Sequence, residues 1–343
     1  MKTRTIKEQN PVKTTSCIFT PSRAVFASFL LAATAWAAAD TPAAPKAPAA
    51  AAKPSKMELF LAAVPPTEAD VHYGKHPTQV MHFWKAVSDK PTPLLFYIHG
   101  GGWTAGDRSV IGAATVQRAL ADGISVVSVE YRFVKEATAA GVVPPVKGPM
   151  LDCARALQFV RSKAKEWNLD KTRIGASGGS AGACTSLWLA FHDDLADPKS
   201  DDPVARESTR LTCAAVNAPQ TSLDPRQMRE WTTNSRYGAH AFAAKGDFWA
   251  PETREKILPW IKEYSPYELV SQDDPPVGLY FPTVPNLGKA EKDPTHTANF
   301  GVKLKEHCDE LKATCELVYP GAPEVKHKDV YDFLRAHLKP EGK

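Results

Sequence analysis

Two short motifs restrict this chain more than any other feature. Gly178-Gly179-Ser180-Ala181-Gly182 fits G-x-S-x-G, and His99-Gly100-Gly101-Gly102-Trp103 lies roughly 80 residues before it. Each follows an apolar run that reads as a buried strand, 94–98 in one case and 172–176 in the other. Either motif alone is weak. Together, in this order, they specify a serine exposed on a strand–turn–helix elbow and a loop whose backbone N–H groups can face it. The elbow needs small neighbours because strand and helix backbones approach closely, and Gly178, Ala181 and Gly182 meet that need. Ser177 competes, since Gly175-Ala176-Ser177-Gly178-Gly179 fits the same pattern. Choosing it would cut the strand short and place two more glycines in the first turn of the helix. Ser180 is therefore preferred, with Ser177 ending the strand beneath the elbow.

The remaining elements follow the same rhythm. Strand-like runs at 124–129, 211–216, 277–281 and 315–319 alternate with helical spacing at 111–121, 150–165, 181–191 and 328–338. This predicts an α/β fold: a mostly parallel central sheet flanked by helices, with antiparallel first strands from 71–84. About 60 residues between 216 and 277 break the pattern and carry Trp231, Tyr237, Phe242, Phe248, Trp249, Trp260 and Tyr264. They predict an insertion at about 222–270, either a lid over the site or aromatics that pack the insertion onto the domain.

A serine hydroxyl needs a base to take its proton and an acid to orient that base. In this architecture they follow in the order serine, acid, histidine. The base belongs between the last strand and the last helix, where only His327 lies; His307 and His337 fall inside helices. The acid belongs after the strand at 277–281, where the carboxylates are Asp293 and Glu291. Asp293 precedes a proline and has turn character, which favours it. The expected triad is Ser180, Asp293 and His327, with Gly101, Gly102 and Ala181 as the oxyanion hole. His99 is expected to hold the glycine loop.

At these residues the chain resembles the α/β-hydrolase superfamily, and within it the bacterial esterase/lipase group that includes hormone-sensitive-lipase-like and feruloyl-esterase-like enzymes. The resemblance spans roughly 71–338 and rests on 97–103, on Glu130-Tyr131-Arg132, on 170–182 and on the order Ser180, Asp293, His327. It implies an α/β-hydrolase fold, a serine triad, an acyl-enzyme intermediate and no cofactor. It also implies structural roles for Tyr131, Arg132 and Asp152. The chain departs from the pattern in two places: Asp293 stands well behind its strand, and Lys328-Asp329 follows His327 where Gly-Phe is common.

Residues 1–39 read as a secretory signal peptide: a basic segment, an apolar run from 24 to 36, then Ala37-Ala38-Ala39. An uncleaved anchor is the other reading. The formal charge of +4 is carried entirely by this segment. The rest has no basic field to attract nucleic acid or anionic lipid. The Ala, Pro and Lys of 40–56 predict a linker before one domain at 57–343. Cys308 and Cys315 flank a helix-to-strand turn and could pair. No H-x-H or H-E-x-x-H pattern calls for a metal, and His72, His76 and His82 read as surface or strand residues. The expected function is an exported serine hydrolase of carboxylic esters, small or polysaccharide-linked, in the periplasm or outside the cell. It would have no stable membrane insertion after signal cleavage. The alternatives are a catalytically silent binding protein on the same fold, or a serine amidase or peptidase.

Overall fold

The computed structural model describes residues 53–339. The expected signal peptide, and the linker up to residue 52, lie outside the described residues. The first helix is Lys56–Ala63; the Ser55 hydroxyl accepts the Glu58 N–H, and the Glu58 carboxylate reaches back to the Ser55 N–H.

Eight strands form one sheet: β1 Glu68–His72, β2 Val80–Trp84, β3 Thr92–Ile98, β4 Ser125–Val129, β5 Leu169–Gly179, β6 Cys213–Asn217, β7 Val277–Tyr280 and β8 Cys315–Val318. Their order is β1-β2-β4-β3-β5-β6-β7-β8. β1 and β2 run antiparallel, and β3 to β8 are parallel. This is the fold class expected from the alternation of strands and helices.

Parity along the strands decides the two cores. In β3, Leu94, Phe96 and Ile98 face one side, while Leu95 and Tyr97 face the other. Both sides are buried, as a parallel strand between two helical layers requires. The first side packs on the helices Lys147–Ser162 and Ala181–Phe191; the second packs on Ala113–Ala121 and Val330–Leu338. Stacking of Phe83 on Trp167 at 4.1 Å typifies the first core.

β5 is longer than the apolar run suggests. It continues through Ser177 and Gly178, which pair with Tyr97 and Ile98 of β3 and with Ala215 and Val216 of β6. The ladder carries the chain straight into the turn at Ser180. The insertion contributes the helices Pro225–Trp231, Ala239–Phe242, Pro251–Tyr264 and Pro266–Leu269. Its Trp231, Phe242, Phe248 and Tyr264 belong to the first core, so these aromatics pack the insertion onto the domain. A bidentate pair between Arg254 and the buried Asp224, Nε to Oδ1 and an Nη to Oδ2, joins two of its helices. Cys308 and Cys315 are free, buried thiols rather than a disulfide. Among the described residues no helix is long and apolar enough to cross a membrane, and no group of His, Cys, Asp and Glu could hold a metal ion.

Candidate active site

β5 ends and the helix Ala181–Phe191 begins with Ser180 between them, at φ +54°. A non-glycine residue in this region is strained, and the surroundings must hold it there. Here the Ser180 N–H donates to the Asn217 carbonyl at the end of β6, 3.1 Å away. The helix N-terminus then lies against the serine and favours developing negative charge.

The side chains around it differ from the sequence expectation in one respect. His296 Nε2 lies 2.9 Å from Ser180 Oγ, and His296 Nδ1 lies 2.8 Å from Asp293 Oδ2. The network assigns the tautomer: Nδ1–H donates to the carboxylate, leaving Nε2 to accept from the serine hydroxyl. Asp293 and His296 are three residues apart in the loop between β7 and the helix Asn299–Leu311. The Asp293 carboxylate accepts the Thr295 N–H, and its carbonyl accepts the His296 N–H, so one turn fixes both groups. Burial works to raise the Asp293 pKa. The His296 hydrogen bond and charge and the two N–H donors outweigh it, holding the carboxyl below the ordinary value.

His327 does not face the serine. Its Nδ1 donates to Glu316 on β8 at 2.8 Å, and its ring packs on Phe333. Its carbonyl accepts the Tyr280 hydroxyl. These contacts turn the loop after β8 back onto its own strand, so the expectation for His327 is corrected to His296. Glu291 is also elsewhere: its backbone exchanges two hydrogen bonds with the Asn234 side chain. Ser177 is buried in the ladder and points to the opposite side, into a cleft of about 870 Å³ that Ser180 does not line.

The glycine loop leaves β3 directly beside the elbow. A Cβ on Gly100 would lie 2.6 Å from the Gly179 carbonyl oxygen, and Gly101 and Gly102 adopt φ of +110° and +63°. Only glycine takes these positions without strain. Among the described residues the N–H groups of Gly101 and Gly102 donate to no other backbone group outside regular elements, and Ala181 N–H lies in the unpaired first turn of its helix. The loop is held from behind. His99 Nε2 meets Glu130 at 2.7 Å, its ring stacks on Tyr131, and the Tyr131 hydroxyl donates to the His99 carbonyl. Trp103 Nε1 donates to Thr185 of the elbow helix. Arg132 grips the buried Asp152 through two parallel hydrogen bonds.

Sequence reasoning gave His240 no role at the site. Its Nε2 is buried beside the Gly102 backbone and would lie 3.7 Å from a Cβ on Gly102. Its ring leans on Trp103 and Tyr237. Burial pulls its pKa below the ordinary histidine value, against a smaller opposing pull from the Gly102 backbone.

The model of the BD-FAE family matches residues 83–283, more than half of the chain. The chain belongs to the BD-FAE family. The matched region of this BD-FAE member holds the glycine loop and Ser180 and ends before Asp293 and His296. Esterase LipC of Mycobacterium tuberculosis is 32% identical over 116 residues, 33% of this chain and 27% of LipC. Carboxylesterase NlhH of the same species is 32% identical over 108 residues, 32% of each chain. The chain thus spans between a quarter and a third of the length of these relatives. Two solved structures share the fold. The acetyl ester-xyloside bifunctional hydrolase from Caldicellulosiruptor lactoaceticus has a TM-score of 0.54 at 24% identity, over 70% of this chain and 77% of that one. Native esterase 2 of Thermogutta terrifontis has 0.55 at 21%, over 74% and 81%.

Proposed function

We propose that this chain is a serine hydrolase of carboxylic esters. His296, oriented by Asp293, takes the Ser180 proton, and Ser180 Oγ attacks the ester carbonyl. Gly101, Gly102 and Ala181 donate to the oxyanion. The alcohol leaves with the proton held by His296, and a water activated by the same imidazole then releases the acid. The observation that carries this reading is the unbroken Asp293–His296–Ser180 chain of hydrogen bonds at 2.8 and 2.9 Å. Esterase relatives that match about a third of the chain, and the family itself, support it. An assembled triad disfavours a silent binding protein.

The substrate is a small or polysaccharide-linked ester, and the protein acts outside the cytoplasm. The first part draws support from the C. lactoaceticus hydrolase and from a carbohydrate esterase of gut microbiota among the structural neighbours. The second rests on the character of residues 1–39. Steady-state kinetics on matched ester and amide substrates tests the assignment. The ester should be preferred by orders of magnitude in kcat/KM; equal rates on peptides, or none on any ester, overturn it. Fractionation of expressing cells tests the location.

A further inference from the structure

A second cavity, about 490 Å³, lies at the seam between residues 138–145 and the insertion. Its walls are mostly apolar, with Val142, Val143, Phe242, Ile257 and Trp260 among them. Lys245 and Lys256 are the charged residues of the lining, Thr138 and Thr253 its hydroxyls, and no carboxylate lines it. Both lysines are exposed, and among the described residues neither makes a salt bridge. Val143 is 66% exposed, so the cavity opens to solvent. Ser180, Asp293, His296 and the glycine loop do not line it, so it is separate from the site described above. The volume is that of a small-molecule pocket.

We propose that this cavity is a second binding site whose ligand is an amphiphilic monocarboxylate, a hydrocarbon or aryl body bearing one acid group. The body leaves water against Phe242, Ile257 and Trp260, which is the favourable term for any apolar ligand. The charge decides the class. A carboxylate at the mouth meets two cations that have no partner of their own, whereas an ammonium head would meet two like charges and an alcohol would gain neither. Acids of this class are what ester hydrolysis releases. That connection rests on the proposed function; the site itself does not.

Calorimetric titration of the full chain with sodium octanoate, 1-octanol and octylammonium chloride tests the site. Octanoate should bind at one site at least tenfold more tightly than octanol, with no binding of octylammonium. A Lys245→Glu/Lys256→Glu variant should lose at least tenfold in octanoate affinity while hydrolysing p-nitrophenyl acetate within twofold of the wild type. If that variant fails to fold by circular dichroism, Lys245→Gln/Lys256→Gln should show the same loss. Octanoate binding unchanged in the lysine variants would place the ligand elsewhere, the ester cleft included, and overturn the proposal. Equal affinity for octanol, or no octanoate binding at millimolar concentration, would also overturn it. Hydrolysis of p-nitrophenyl acetate by the wild type reads the esterase assignment separately.

Discussion

At the scale of residues, the Asp293–His296 turn places acid and base on one short loop. A single loop therefore sets the geometry of both groups relative to Ser180. Removing either end of the proton path, by Ser180→Ala or His296→Ala, should lower kcat by about 10⁴-fold or more with little change in KM. Asp293→Asn should cost less, about 10- to 10³-fold, because the carboxylate is 61% exposed and water can replace part of its role. His327→Ala should leave kcat within a few fold, since that ring touches Glu316 and Phe333 and not the serine. The serine was legible in the sequence because its elbow is a local demand for small residues around one turn. The base was not, because which loop reaches the serine is decided by tertiary contacts. The Asp-Pro-Thr-His spacing was the available signal: an aspartate that turns the chain can also face an imidazole three residues on.

At the scale of elements, the glycine loop is the part most intolerant of change. Gly101→Ala would force a Cβ toward the Ala105 carbonyl at a backbone angle that L residues avoid. Stopped-flow or steady-state assays should show a fall of about 10²-fold or more in kcat, the order expected when an oxyanion donor is displaced. Near-wild-type rates would mean that this loop does not shape the oxyanion hole. The strands β3, β4 and β7 were readable from their apolar runs, because a strand buried on both faces leaves no polar alternation. The insertion was readable only as an insertion. Three of its helices begin at Pro225, Pro251 and Pro266, and their mutual packing rests on contacts such as Arg254 with Asp224 that no local pattern announces.

At the scale of the whole molecule, two buried polar groups set how the fold responds to sequence and pH. Asp152 is buried and ties the Lys147–Ser162 helix to Arg132, and to Gln79 near β2. Asp152→Ala leaves the half-buried Arg132 and the Gln79 amide without their acceptor and should cost about 1–3 kcal/mol in denaturant unfolding. His82 in β2 is pulled to about 4, by burial first and by the Arg108 charge second. The unfolded chain takes up this proton near the ordinary histidine value of about 6.5, while the folded chain resists it until about pH 4. The unfolded state thus binds more protons in that window, and stability falls as pH drops from 6.5 toward 4. His82→Gln should flatten this part of a Tm-versus-pH curve; an unchanged slope would assign the acid sensitivity elsewhere. The assembled site is itself a property of the whole fold, since the β3 loop, the β5 elbow and the loop after β7 meet only there. Labelling of the folded chain with a fluorophosphonate, read by peptide mass spectrometry, tests that assembly most directly. The account predicts modification at Ser180 that is lost in His296→Ala and retained in His327→Ala. Labelling that survives His296→Ala and disappears in His327→Ala would contradict it.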